Sequence, residues 1–204
     1  MVDRTFVCCV LCLDIAEYSR RNIAEQIQLK EWLVSALGGS LSEDTVVRDT
    51  GGGVVVTFLA DPEHALWSGS RVRNAFQARR SSVEYEPRIR GGISLGPARL
   101  VKDLNGMPSI VGDVVTAAQR ITTVAEPGQL LVSRTYKDVM LRVSQEYAKV
   151  FSSQGVKVDG DRVYAVDSDA LDLLPKPGPM SARPDKPKSG WATALAARVR
   201  SLFP

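Results

Sequence analysis

The sequence predicts an α+β fold of the split-βαβ type, in which helices cover one face of an antiparallel or mixed sheet. Short β-favouring runs alternate with stretches that have apolar residues at helical spacing, and two of the β-rich runs flank a glycine-rich hairpin tip. The chain has 204 residues, of which 44% are hydrophobic and 24% charged, and this suits one globular domain.

The predicted elements follow the order β-α-β-β-α-β-α-β through Ser133, and a helix and a short strand come after it. Glycine ends the first helix at Gly38, and Asp61 begins the second. The predicted domain covers 1–170. The predicted strands are 6–13, 45–48, 54–58, 88–95, 128–133 and 163–166, and the predicted helices are 24–37, 61–79, 114–124 and 134–141.

One carboxylate, Asp14, directly follows the apolar run of the first strand. A charged residue does not stabilise a buried strand by packing, because an unpaired buried carboxylate is costly. An acid where such a strand emerges is well placed to hold a metal or a polar substrate. The alternative is an N-cap of the helix that follows, since Asp is a common cap. Position alone leaves both interpretations open.

Cys8, Cys9 and Cys12 lie on this first strand. Neighbours on a strand point to opposite faces, and Cys8 and Cys12 are too far apart to form a disulfide. We therefore expect reduced packing residues in a reducing, cytoplasmic compartment. A zinc site is not expected, because the only histidine, His64, is interpreted as a surface residue of a later helix.

The positive charge of the chain is concentrated near its C-terminus. The formal net charge is +3, yet residues 175–204 carry +5 and the remainder −2, which argues against a nucleic-acid-binding body. Residues 171–190 are predicted to be a Pro/Lys-rich linker. Residues 191–204 form either a short basic amphipathic segment, which would contact an anionic membrane or a partner, or a frayed chain end. No stretch is apolar enough to span a membrane, and no signal peptide is expected.

Several motifs, in order, resemble the catalytic domain of the class III nucleotidyl cyclases, the adenylate/guanylate cyclase family. Residues 10–19 are similar to the family's first strand, metal-binding Asp-Ile pair and phosphate-binding turn. Residues 49–58 resemble its second-metal hairpin, and residues 90–96, 111–120 and 125–133 resemble a strand, the interface helix and the strand after it. The ordered set covers residues 5 to about 167 and looks like bacterial members. It implies a ferredoxin-like fold.

The resemblance implies an in-line attack of the ribose 3′-hydroxyl on the α-phosphate of a nucleoside triphosphate, with pyrophosphate leaving. Two Mg²⁺ or Mn²⁺ ions would stabilise the attacking and leaving oxygens. By this resemblance, Asp14 and the carbonyl of Ile15 are metal ligands. The turn of Ala16, Glu17, Tyr18 and Ser19 would bind phosphates through its N–H groups.

Other family positions are changed in this chain. The second-metal Asp is replaced by Gly52, and Asp49 lies roughly 10 Å away, too far for direct rescue. The two adenine-reading positions hold Arg48 and Ser109, and these match neither the adenine nor the guanine pattern.

The two family positions that stabilise the transition state hold Thr116 and Arg120. Arg120 would neutralise charge on the α-phosphate. The alternative is that Arg120 is an ordinary exposed arginine of the helix. With Gly52 in place of an acid, one metal site is expected, and a second is doubtful.

Two functions follow from this pattern. The favoured one is a degenerate cyclase-homology domain, catalytically impaired on its own, that binds nucleotide and dimerises in signalling. The alternative is an active cyclase that makes a 3′,5′-cyclic nucleotide, with a pyrimidine base as one option, alone or in a heterodimer. The resemblance implies a homodimer or a heterodimer with another cyclase domain, because each subunit of such a dimer supplies half of a site.

Overall fold

Eight strands form one mixed sheet in the computed structural model, which describes residues 5–79 and 86–178. The strands are β1 (Phe6–Ile15), β2 (Thr45–Asp49), β3 (Gly53–Phe58), β4 (Ile89–Lys102), β5 (Pro108–Val111), β6 (Leu130–Ser133), β7 (Phe151–Val158) and β8 (Asp161–Val166). The helices are α1 (Ile23–Leu37), α2 (Pro62–Ala78), α3 (Asp113–Val124), α4 (Arg134–Val143) and α5 (Ser168–Asp172). The strand order is β2-β3-β1-β4-β6-β8-β7, and β5 pairs with β4. Only β4 and β6 pair in parallel among the described strands.

The central strand β1 is buried on both faces. Leu11, on one face, and Val10, on the other, are both fully buried. The alternation of a strand divides its apolar residues between two separate clusters of the core, because successive side chains point to opposite faces. A strand of this kind requires cover on both sides, and the helices supply it.

The helices lie on both faces of the sheet, which corrects the expectation that they would cover one face. Helices α1, α2 and α4 pack on the face that carries Leu11, whereas α3 packs on the face that carries Val10. The physical reason is the double-sided apolar pattern of β1, which would leave Val10 exposed without α3. Gly92 of β4 allows the close approach, since a Cβ there would lie 2.5 Å from the carbonyl oxygen of Ala118.

The elements with strong periodicity are confirmed, including the glycine-tipped hairpin of β2 and β3. Two strands were not predicted: β5 is only four residues long, and the central part of β7 is exposed on both faces and shows no apolar alternation. The predicted end of the fourth strand at Gly96 and Pro97 was wrong. Both residues stay paired with β1, so that β4 continues to Lys102.

The prediction that the three cysteines are buried packing residues of β1 is confirmed, since all three thiols are free and buried. His64 lies on α2, as predicted, but its predicted surface position was wrong, because its side chain is only 15% exposed. The His64 ring lies between α2 and the chain after α5, where its Nε2 is 3.1 Å from the carbonyl oxygen of Gly178.

The C-terminal predictions fall mostly outside the described residues. The structure follows the chain through α5, whose Leu171 is fully buried in the core, and on to Gly178. Most of the predicted linker (171–190) and all of the amphipathic segment (191–204) lie beyond this point. Among the described residues, no helix combines the length and apolarity needed to cross a membrane.

Candidate functional site

The end of β1 places Asp14 on the α3 face of the sheet. Asp14 lies opposite Gly53 of β3 and Arg90 of β4 in the strand register. It shares a face with Cys12, because residues two apart on a strand point the same way. The side chain is 38% exposed, so that its carboxylate is open to a ligand from solvent.

The carboxylate of Asp14 already has a cationic partner. Nε of Arg90 donates to Oδ2 of Asp14 at 2.9 Å, and Nη2 lies 2.9 Å from the same oxygen in an ion pair. A third donor of this guanidinium, Nη1, lies 3.3 Å from the carbonyl oxygen of Thr123 in the last turn of α3. A helix C-terminus favours a cation, so α3 helps to hold the arginine in place.

The second-metal position, Gly52, offers no side chain. Its carbonyl accepts a hydrogen bond from the backbone N–H of Ile15 at 2.9 Å, and this bond joins the hairpin tip to the end of β1. A Cβ at Gly52 would lie 3.2 Å from Cδ1 of Tyr18. A side chain at this position would therefore be tight but would not collide with backbone.

The nearest acid on the hairpin, Asp49, is held elsewhere. Lys30 of α1 lies 2.6 and 2.7 Å from its two carboxylate oxygens, and the backbone N–H of Gly51 donates to Oδ1 at 2.7 Å. Asp49 pairs with Val54 on β3, two strands away from Asp14. It does not replace the missing carboxylate.

The predicted phosphate-binding turn follows Ile15. Glu17 has a left-handed backbone with φ 59°, which turns the chain sharply after the strand. The N–H of Ala16 donates to the carbonyl of Arg88, whereas those of Glu17, Tyr18 and Ser19 make no backbone hydrogen bond outside the turn within the described part of the chain. Successive free N–H groups of this kind form a concave site for anions.

The side chain of Glu17 stands beside this turn with two arginines. Its carboxylate pairs with Arg20 at 3.0 Å and with Arg21 at 3.3 Å. The negative charge of Glu17 is therefore accompanied by two positive charges beside the turn.

Arg48 and Ser109, the predicted base-reading residues, line one small cleft between β2, β3 and β5 on the α3 face. Val55 and Val115 complete its walls. Arg48 is exposed and forms no hydrogen bond or ion pair with another described residue. The structure thus brings together two positions that are 61 residues apart in sequence.

Thr116 and Arg120 lie one turn apart on the exposed side of α3. Arg120 bonds Oδ1 of Asp159, in the β7–β8 turn, at 2.7 Å. This hydrogen bond and the charge of Asp159 raise the pKa of the guanidinium, which is cationic in any case. No hydrogen bond or ion pair among residues 5–79 and 86–178 joins these two residues to Asp14 or Gly52.

The residues near Asp14 do not fit the paired-metal arrangement that the resemblance implies. No group of three or more His, Cys, Asp or Glu side chains converges anywhere in the two described ranges. The one carboxylate in place, Asp14, is bound by Arg90, and Gly52 adds none. The metal role of Asp14 and Ile15 stays a prediction.

The ion pairs of three charged residues in this region were not predicted from the sequence: Lys30, Arg90 and Asp159. Arg90 stood within a motif that resembles the family, but its pairing with Asp14 depends on the register of β1 against β4. Strand alternation placed each residue on a face of its own strand, and the missing information was which residues lie opposite each other.

The fold is that of the class III adenylate and guanylate cyclase catalytic domains. The structure of the adenylyl cyclase CyaB from P. aeruginosa is 18% identical, with a TM-score of 0.65 over 90% of this chain and 98% of that chain. The non-canonical dimeric guanylyl cyclase domain of the RhoGC fusion protein from Blastocladiella emersonii is 18% identical, with a TM-score of 0.61 over 80% of this chain and 97% of that chain.

The guanylate cyclase domain of RhGC from Catenaria anguillulae, in complex with GTP, is 17% identical, with a TM-score of 0.63 over 80% and 98%. Neither a protein-family model nor a curated protein matches the sequence. The shared fold confirms the architecture that the resemblance implied.

Proposed function

We propose that this chain is a class III cyclase-homology domain that binds a nucleoside triphosphate and dimerises in signalling, without cyclase activity of its own. The observation that carries the proposal is that no second carboxylate stands beside Asp14 in the described part of the chain. Gly52 occupies that position, and Asp49 is engaged by Lys30. Loss of a carboxylate from a two-metal clamp removes the charge that holds the second ion and weakens stabilisation of the leaving oxygen.

Two features of the described chain support nucleotide binding. The N–H groups of 17–19 suit phosphate oxygens, and the Arg48–Ser109 cleft offers a cation and a hydroxyl to a base edge. Arg48 donates hydrogen bonds but accepts none, so it favours a base with acceptor groups at its edge. The GTP complex among the similar structures supports a triphosphate ligand, and the non-canonical dimer among them supports self-association of such domains.

The test is an assay of the purified chain with each of the four ribonucleoside triphosphates and Mn²⁺, followed by chromatography for cyclic products. We expect none. Product that disappears in Asp14→Ala would overturn the non-catalytic assignment.

Calorimetry with the same nucleotides tests the binding half of the proposal. We expect Arg48→Ala to weaken binding about tenfold, the size of one charge-assisted contact. Arg134→Ala is the matched control, because Arg134 is an exposed arginine on α4, across the sheet from the cleft. Equal effects of the two variants would contradict a role for the cleft.

A second candidate is supported by the arrangement of Arg48, Ser109, Thr116 and Arg120 on the α3 side of the sheet. A composite site takes one half from each subunit. These four residues would form the half that contains no metal ligands. A partner cyclase domain with both carboxylates would complete one site with them, so the chain would act in a heterodimer. Mixing the chain with a cyclase domain whose own arginine on this helix is replaced by Ala should restore product. Arg120→Ala in this chain should abolish that rescue.

A further inference from the structure

A second, larger cleft lies on the Leu11 face of the sheet, across the sheet from the cleft of Arg48 and Ser109. Its walls come from the turn between α1 and β2, from α2, and from the chain after α5. The cavity has a volume of about 740 Å³, which is within the range of small-molecule sites in proteins. None of the described residues that line it belongs to the motifs that resemble the cyclase family.

The charged side chains of this cleft are mostly cationic. Arg71 of α2 and Lys176 after α5 line it, and neither forms an ion pair with an acid in the part of the chain that the structure describes. Asp172 is the one acid among the described lining residues, and its Oδ2 lies 3.5 Å from Nδ2 of Asn74. Two positive charges thus share the cleft with one negative charge, and this excess attracts an anion.

The guanidinium of Arg71 is held in place but is not neutralised. Its Nη2 donates to the carbonyl oxygen of Leu37 at 3.3 Å and also to Oγ of Ser40. Gly39 leaves room for it, since a Cβ there would lie 2.8 Å from Nη1. Burial lowers the pKa of this guanidinium, and no described acid offsets the cost. Because Nε and Nη1 make no hydrogen bond with a described residue, their N–H groups stay available to a ligand.

The other walls of the cleft combine apolar surface with polar groups. Leu41 and Trp67 supply apolar surface, and Ser42 adds a hydroxyl. The ring of His64 joins α2 to the chain after α5, because its Nε2 lies 3.1 Å from the carbonyl oxygen of Gly178. Such a mixture suits a ligand that has an apolar body and one polar end.

We propose that this cleft binds a small organic anion, a molecule that carries a phosphate or carboxylate group on an apolar body. Arg71 and Lys176 hold the anionic group, and Leu41 and Trp67 pack against the apolar body. The inference goes beyond the proposed function, because the cleft lies on the opposite face of the sheet and shares no residue with the candidate nucleotide site. A ligand bound there contacts α2 and the chain after α5 together, so it stabilises the folded domain.

The test uses phenyl phosphate as the probe and phenol as the matched compound without the charge. Saturation-transfer difference NMR with the full chain measures the affinity of each. We expect saturable binding of phenyl phosphate and binding of phenol that is at least tenfold weaker, the worth of a charge-assisted contact. Benzoate distinguishes the two anionic groups, since the tighter of benzoate and phenyl phosphate identifies the group that the cleft prefers. Equal affinity for phenol and for both anions would overturn the inference.

Substitutions assign the bound probe to this cleft. Arg71→Gln should weaken phenyl phosphate about tenfold, and Lys176→Gln about two- to fivefold. Arg134→Gln is the matched control, because Arg134 is an exposed arginine of α4 that does not line the cleft. Equal losses of affinity in Arg134→Gln and Arg71→Gln would overturn the inference.

Asp172→Asn tests the sign of the electrostatic effect. It removes the opposing charge of the cleft and keeps an oxygen that can accept from Asn74, so it should tighten phenyl phosphate about two- to fivefold. A gain in affinity cannot come from a loss of fold, so this variant and Lys176→Gln decide the matter even if Arg71→Gln unfolds the domain. Unchanged affinity in both Asp172→Asn and Lys176→Gln would overturn the inference.

Discussion

Gly92→Ala should push α3 away from the sheet and lower the stability of the domain. A Cβ at Gly92 would lie 2.5 Å from the carbonyl oxygen of Ala118 and 2.6 Å from the backbone nitrogen of Thr122. These are backbone atoms of a helix and cannot rotate away. Ordinary contact begins at 3.4 Å, so the helix has to move by about 0.9 Å. Overpacking of a core costs about 1–3 kcal/mol, and we expect the upper end because no side chain can yield.

The measurement is urea unfolding followed by circular dichroism. A loss of about 3 kcal/mol would lower the midpoint by about 1.5 M, for a slope near 2 kcal/mol/M. Gly38→Ala is the matched control, because Gly38 has φ −51° and no described atom lies within 4 Å of the position that a Cβ would take there. That variant should be neutral or more stable by about 0.4–1 kcal/mol. If Gly92→Ala stays within about 1 kcal/mol of the wild type, the close packing of α3 on β4 is refuted.

Three further predictions concern the caps, the thiols and the exposed arginine of α3. Asn22→Ala should cost about 1 kcal/mol in urea unfolding, because the side chain accepts from the N–H of Glu25 at 3.0 Å, and an unchanged midpoint would contradict the cap. The three buried cysteines should react with a thiol reagent only on unfolding, since burial raises the pKa of Cys9, and fast labelling of the native chain would show an opened β1. Asp159→Asn should release Arg120 and tighten nucleotide binding about two- to fivefold in calorimetry, the worth of an exposed pair, whereas Asp161→Asn should not.

The sequence predicted the elements with a clear period but not how they sit on the sheet. The apolar spacing of α3 shows that one side of the helix is buried, yet it says nothing about which face of the sheet receives it. Val10 and Leu11 are neighbouring buried residues on β1, and they show only that both faces of the sheet are covered. The assignment of α3 to the Val10 face comes from the packing in the structure. The strand β7 could not be predicted from an apolar pattern, because most of its side chains are exposed. Its strand conformation depends on backbone pairing with β8.

The positions of the candidate residues could be predicted where those residues are close together in sequence. Asp14 and the turn after it are consecutive, and the glycine tip of the hairpin is readable as a change from the family pattern. Arg90 was out of reach, because it is 76 residues from Asp14 and meets it only through the antiparallel register of β1 and β4. A sequence motif does not show which charged residues lie opposite each other, because that depends on the register of the paired strands.

The parallel pairing of β4 with β6 has a consequence for the order of folding. The hairpin of β2 and β3 closes over a few residues, whereas β4 and β6 can pair only after the intervening chain, including α3, has crossed over. Contacts between residues that are far apart in sequence form late, because closing the long loop between them costs entropy. We therefore expect the hairpin that carries Gly52 to form early and the crossover that carries Thr116 and Arg120 to dock afterwards. A kinetic intermediate would then hold the paired hairpin before α3 has docked on the sheet.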